Sequence, residues 1–259
     1  MPDALDLNIA EYNSTALHRT QQVAWCCSTV NATGLAAEQP TVLFLHGMRS
    51  DFTGWWNNTR FQKIASQNPG LYVFVNSEAQ GWYTNAPGGG SQCEQDIVED
   101  VVQWVTANLP AAPSRDKWAI AGQSMGGYGA LKLALKFPHL FGNAVSFSGA
   151  LDITRTADAQ TIFGDRVENR AFRRANDLFY LAEEALCRFP LERPYLSFNC
   201  GTEDPFLEAS RAFHQHLQFI GYGHSYWEDK GHHTWPYWNR ALRRAIPELM
   251  AHMATPSGG

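Results

Sequence analysis

The chain has 259 residues, 44% of them hydrophobic and 17% charged, with a formal net charge of -5. That composition belongs to a globular protein with a sizeable core. The absence of any Lys/Arg block gives no support to binding a polyanion, and no apolar run reaches the ~18–20 residues that span a bilayer.

The N-terminus, Met1 to Asp6, is acidic and lacks an apolar centre, so it does not read as a signal peptide. The cysteines (Cys26, Cys27, Cys93, Cys187, Cys200) are scattered and odd in number, with no C-x-x-C. Reduced thiols in a cytoplasmic protein are the simpler expectation, with a disulfide at Cys93 unsupported. A secretory leader already removed would change the compartment.

Residues 7–30 alternate and carry β-formers, which predicts one or two antiparallel edge strands. After a Gly/Ala/Pro turn, Thr41-Val42-Leu43-Phe44-Leu45 is a solid apolar run, as in a strand buried on both faces. It ends in His46-Gly47-Met48-Arg49. A loop bearing Trp55 and Trp56 leads to a short helix near Phe61–Ala65, and Leu71–Val75 is a second buried strand. Residues 76–93 read as a long loop with Trp82, Tyr83 and Gly88–Gly90. Asp96–Asn108 has helical period, its apolar face running from Ile97 to Val105.

Trp118–Ala121 is a strand, and Tyr128–Lys136 an Ala/Leu-rich helix; between them stands Gly122-Gln123-Ser124-Met125-Gly126-Gly127. Ala144–Ser148 is a further strand. Residues 151–192 turn charge-rich (Arg155, Asp158, Asp165, Arg166, Glu168) and read as a short helical insertion within a single domain spanning 1–259. Pro194–Cys200 is a strand running into Gly201-Thr202-Glu203-Asp204-Pro205. A helix over Leu207–Ile220, a strand at Ser225–Glu228, the segment Gly231-His232-His233-Thr234-Trp235 and a helix from Pro236 to Met250 end the chain. Solid apolar strands alternating with helices predict an α/β fold with a mostly parallel sheet covered on both faces. Loops at the carboxyl ends of such strands build the site.

The G-x-S-x-G at Ser124 sits between strand and helix, the context in which a strained turn presents a serine at the mouth of a sheet. A serine hydroxyl is a weak nucleophile without a base, and the base needs a carboxylate to fix its tautomer. Within the chain order Ser, acid, His, Asp204 is chosen because it follows a buried strand in a polar loop before Pro205; Glu203 is its local rival, Asp229 lies close in sequence to the base, and a simple pre-proline turn is the structural reading. His233 is the chosen base and His232 its competitor; neither period nor charge decides between these neighbours. His214, His216 and His224 read as packed or surface histidines. The N–H groups of Met125 and Met48 are the expected oxyanion donors. Trp55, Trp82, Tyr83, Gln123 and Trp235 are candidate substrate contacts, with Trp56 a further ring on the same loops. No cofactor is needed, and no His/Cys cluster has zinc spacing.

These pieces resemble the Putative esterase family of α/β-hydrolases, which holds tributyrin esterases, esterase D-type S-formylglutathione hydrolases, feruloyl esterases and mycolyltransferases. The matching segments are Leu45–Met48, Gly81-Trp82-Tyr83-Thr84-Asn85 with its following Pro-Gly, Gly122–Ala130, Phe147–Ala150, Asp177–Tyr180, Cys200–Asp204, and His233-Thr234-Trp235 with Tyr237-Trp238. Together they span Val42 to Ala241. The tributyrin-esterase branch carries Gly-Gly-His-Thr-Trp, which maps the base onto His233 and puts His232 where glycine is usual; Gly-Thr-Glu-Asp maps the acid onto Asp204. Met48 to Trp55 is also similar to the acyl-binding loop of mycolyltransferases.

The resemblance implies a serine carboxylesterase working through an acyl-enzyme on a small-molecule substrate, and the short insertion at 151–192, which suggests a modest lid, points to short-chain or small aromatic acyl esters. Its rivals are acyl transfer to a sugar or alcohol, a thioesterase of the S-formylglutathione type, and a catalytically inactive binding protein on the same scaffold. No nucleic acid and no membrane insertion are expected, and a homo-oligomer is compatible with the chain.

Overall fold

A computed structural model describes residues 5–255, apart from 29, 32–33, 36–37, 79 and 165–167. Met1 to Ala4 of the acidic N-terminus, and Asp165 and Arg166 of the charge-rich stretch, lie outside the described residues, as does the side chain of Asp158. The main sheet has eight strands: β1 (Asn8–Ser14), β2 (Arg19–Cys27), β3 (Thr41–Leu45), β4 (Leu71–Val75), β5 (Trp118–Gln123), β6 (Asn143–Phe147), β7 (Tyr195–Gly201) and β8 (His224–Asp229). Their spatial order is β1-β2-β4-β3-β5-β6-β7-β8. β1 pairs antiparallel with β2, and β2 antiparallel with β4; every other pairing is parallel.

β3, β4, β5 and β6 are buried at every residue, which is why their sequences are solid apolar runs and not alternating ones. The pleat still sorts them. Leu43, Leu45, Val73, Val75 and Ile120 enter one core layer, while Val42, Phe44, Tyr72, Phe74 and Ala121 enter the other. The second layer is closed by the C-terminal helix Trp235–Ala254 through Leu242, Ile246 and Leu249. Phe44 meets Trp55, Phe61 and Phe74 at centroid distances of 5.3, 5.1 and 5.6 Å. Burial of a ring of this size stabilises by roughly 1.5–3 kcal/mol.

The stretch expected as a helical insertion divides in two. Up to Asp177 it consists of short helices, Gln160–Phe163 and Arg170–Arg174. Leu178–Arg188 is instead a crossover helix between β6 and β7, packed on Met125–Lys136 through Leu178, Leu181, Ala182 and Ala185. Its Asp177 cap accepts from Phe179 N–H. A short helix, Gly54–Asn58, also forms where the Trp55 loop was expected.

Candidate active site

Ser124 has φ 57° and ψ -120°, a conformation that non-glycine residues hold only when the surroundings impose it, at a cost of roughly 1–3 kcal/mol. Here three backbone bonds impose it: Ser124 N–H donates to Phe147 O (3.0 Å), and Ser124 O accepts from Tyr128 N–H (3.1 Å) and Ala150 N–H (3.2 Å). The helix Met125–Lys136 can leave at this angle because Gly126 has no side chain. A Cβ there would stand 2.6 Å from Leu45 O and 2.7 Å from His46 O. Met125 is the first helical residue, so its N–H has no intrahelical acceptor. The turn Gly47–Ser50, closed by Ser50 N–H to Gly47 O at 3.2 Å, lies against Ser124, whose Cβ would be 3.4 Å from a Cβ on Gly47.

On the other side, the loops after β7 and β8 extend the ladder of their strands: Thr202 N–H donates to Asp229 O and Glu203 N–H to Gly231 O, both at 2.9 Å. That zipper brings Asp204 to His233. Asp204 Oδ2 accepts from His233 Nδ1 at 2.8 Å, and its Oδ1 from Phe206 N–H at 2.9 Å. His233 Nε2 lies 2.9 Å from Ser124 Oγ. With the proton on Nδ1, where only an acceptor is in reach, Nε2 is left to accept from the serine hydroxyl. The Asp204 carboxyl is fully buried, whereas His233 keeps 24% of its side chain exposed. The neighbouring residues form a second, outward pair, His232 Nε2 to Glu203 Oε2 at 2.6 Å. Successive residues of an extended loop point to opposite sides, so one histidine faces Ser124 and the other faces water.

The expected substrate contacts at Trp55, Trp82, Tyr83 and Gln123 need correction. All four are between 0 and 2% exposed. Trp55 donates from Nε1 to Leu45 O at 3.1 Å and packs edge-on against Phe147. Trp82 packs between Tyr128 and Phe163. They shape the site from beneath and present no face to a ligand. Trp235 is half-buried and stands perpendicular to Trp55 and Trp238, so it remains at the mouth. Among the described residues no group of three or more His, Cys, Asp or Glu is arranged to hold a metal ion, and no helix is long and apolar enough to cross a membrane. Cys93 is a buried free thiol beside Ser91 Oγ.

Several residues around the site were not singled out as functional in the sequence. Phe206 and Trp238 set their ring edges on the His233 imidazole, at 5.0 and 4.9 Å. Lys132, in the middle of the Ala/Leu-rich helix, is fully buried and paired with Glu94 at 2.8 Å. Burial pulls the Lys132 ammonium down to about 8, against the upward pull of Glu94. Burial works upward on Glu94, but Lys132 and Lys136 override it and leave its carboxyl below the ordinary value. A lysine in a helix normally lays its stem on the surface, so the one available signal was its place between Leu131 and Leu133 in a run of Ala and Leu.

Sheet order and the parallel strands flanked by helices define an α/β-hydrolase fold. The chain belongs to the "Putative esterase" family, whose profile matches residues 35–249, and it is a carboxylic ester hydrolase. It is 24% identical over 217 residues to an acetyl esterase of Caldicellulosiruptor saccharolyticus, covering 80% of this chain and 81% of that protein. It is 27% identical over 265 residues to the diacylglycerol acyltransferase/mycolyltransferase Ag85A of Mycobacterium tuberculosis, covering 86% of this chain and 77% of that one. Among solved structures, the fluorophosphonate-binding serine hydrolase FphF of Staphylococcus aureus superposes with a TM-score of 0.83 at 24% identity, covering 95% of this chain and 99% of that chain. The S-formylglutathione hydrolase FrmB of the same organism gives 0.82 at 24%, with the same coverage. At these identities the two structures speak for the fold.

Proposed function

We propose that the chain hydrolyses short-chain or small aromatic acyl esters by a serine mechanism. The observation that carries this reading is the continuous relay from Ser124 Oγ to His233 Nε2 (2.9 Å) and from His233 Nδ1 to Asp204 Oδ2 (2.8 Å). Ser124 Oγ bonds to the acyl carbon as its proton passes to His233 Nε2. The carbonyl oxygen becomes an oxyanion facing the N–H groups of Met125 and Met48. Collapse breaks the bond to the alcohol oxygen, which takes the proton from His233. Water then repeats the sequence: it gives its proton to His233, attacks the acyl carbon, and releases the acid with Ser124 reprotonated. Asp204 orients the imidazole and stabilises its cationic form.

The small acyl group is supported by the segment after β6. Ile153, Ala159 and Phe163 are buried in the same core layer as Trp82 and Tyr128, so the segment packs down on the domain and leaves little depth for a long acyl chain. The likeness to an acetyl esterase points the same way. The likeness to a mycolyltransferase supports one second reading, in which an alcohol replaces water on the same acyl-enzyme.

A fluorophosphonate probe should label the native protein once, at Ser124, and should leave Ser124→Ala unlabelled. Nitrophenyl esters of rising chain length should be cleaved fastest at acetyl to butyryl. Absence of labelling would undo the serine mechanism, and a preference for octanoyl or longer would undo the acyl assignment. Product analysis with an added alcohol separates hydrolysis from transfer.

A further inference from the structure

The segment Gly81-Trp82-Tyr83-Thr84-Asn85 has no part in the mechanism above, yet it is buried and held in an unusual shape. Trp82 and Tyr83 are consecutive non-glycine residues with φ of 49° and 50°. Such a pair persists only where the surroundings over-determine it. Tyr83 is anchored at both ends. Its carbonyl accepts from Lys132 Nζ, and its hydroxyl donates to His46 O at 2.7 Å. Lys132 also reaches Asn176 Oδ1 at 3.1 Å, which accepts from Thr84 Oγ1 at 2.7 Å. The Tyr83 ring lies directly on the elbow helix: a Cβ on Gly129 would stand 2.5 Å from its Cδ2 and 2.9 Å from its Cβ.

His46, the acceptor of that hydroxyl, is itself fully buried and is the first residue after β3. Its Nδ1 lies 2.8 Å from Gly47 O, where only an acceptor is available, so Nδ1 carries the proton. Its Nε2 then accepts from Ser77 N–H at 3.2 Å. Burial holds this ring below the ordinary histidine value, against the pull of its carbonyl partners, and so keeps it neutral. Gly47 O therefore accepts from His46 Nδ1 and from Ser50 N–H. That carbonyl and the Met48 N–H belong to one peptide unit, planar and trans, so they point in opposite directions. Fixing Gly47 O fixes the aim of the Met48 N–H. The turn lies against the nucleophile, since a Cβ on Gly47 would stand 3.4 Å from Ser124 Cβ.

We propose that Tyr83 is a positioning residue for the oxyanion hole: through His46 it holds the peptide that presents the Met48 N–H to the acyl oxygen. The inference rests on the serine-esterase reading above. Loss of one oxyanion donor outright slows an acyl transfer by about 10²–10³-fold. Tyr83 loosens that donor and does not remove it, so a smaller loss follows, confined to the chemical step.

The test is Tyr83→Phe, which deletes only the hydroxyl, compared with the native protein on nitrophenyl acetate. The expected result is a fall in kcat of about 10-fold with KM within about twofold, the pattern of an interaction made in the transition state. In a slowly deacylating cinnamoyl-enzyme, the acyl carbonyl stretch should move to higher wavenumber in the variant, because the carbonyl loses a donor. Gly129→Ala keeps every polar group and displaces the ring, so it should give the same pair of changes and serves where Tyr83→Phe fails to fold. Unchanged kcat per labelled site and an unchanged carbonyl band, even with a lower melting temperature, would leave Tyr83 a structural tether and overturn the proposal. A native protein that neither takes the fluorophosphonate nor turns over ester overturns the serine-esterase reading itself, and the inference falls with it.

Discussion

On one flank of Ser124 the Gly47–Ser50 turn is backed by His46, Tyr83 and Lys132, none of which reaches water. On the other flank His233 keeps a quarter of its side chain exposed, steadied by the ring edges of Phe206 and Trp238. The proposed tasks account for the difference. Oxyanion donors must hold one direction throughout the reaction, and a desolvated network of neutral and paired groups gives fixed dipoles whose worth is greatest away from water. The base must take up and release a proton twice per turnover and meet incoming water, so its ring stays at the surface while only its carboxylate partner is buried. A buried ion pair suits the first flank and would be misplaced on the second.

The contrast can be broken from either side. The largest effect is expected from Asp204→Asn, which should lower kcat about 10⁴-fold by favouring the wrong imidazole tautomer, with the melting temperature nearly unchanged; pre-steady-state acylation of nitrophenyl acetate measures it. Next comes Glu94→Gln, which leaves Lys132 buried without its counter-charge. The expected loss is about 3–5 kcal/mol of stability, or roughly 10 °C in melting temperature for a chain of this size.

The same substitution has a pH signature. Glu94 is held below its ordinary value of 4.5, so its contribution is present above that pH and is lost as the pH falls through the lower folded value. The native protein should lose stability on acidification below about pH 4.5, and Glu94→Gln should lack that part of the acid limb in denaturant titrations.

Gly126→Ala attacks the junction itself. Its Cβ would press on Leu45 O and His46 O and push the turn from the elbow, with an expected fall in kcat of about 10²-fold and little change in KM. The smallest effect belongs to His232→Gln. The outward pair with Glu203 is exposed on both sides, where such pairs contribute about 0–1 kcal/mol. Steady-state activity should stay within about twofold; a large loss would mean that the two adjacent histidines do not divide inward and outward.

Much of the fold was legible along the chain. Thr41–Leu45 and Leu71–Val75 are strands to the residue, because a strand buried on both faces leaves a short solid apolar run, here rich in β-branched and aromatic residues. The residue order around Ser124, Asp204 and His233 was legible as well. The choice between His232 and His233 needed a resemblance in sequence, since it turns on which way a loop residue points. The aromatic residues misled for the opposite reason. Trp55, Trp82 and Tyr83 fall on segments that leave the sheet on the site's side, and their number suggested a cleft wall. A large ring on such a loop is equally able to fold back onto Phe44 or Tyr128, and the apolar area it buries there favours that outcome.

By itself the chain determined the alternation of strands and helices and the serine elbow, because periodicity and glycine placement are local properties that backbone sterics enforce wherever they occur. Only the tertiary structure decided that Lys132 is buried against Glu94, that His46 is clamped between Gly47 and Ser77, and that Tyr83 spans from one to the other. Apart from the neighbouring His46–Gly47 contact, these join residues dozens of positions apart. Each arises from what packing leaves within reach of a buried polar group that must find a partner.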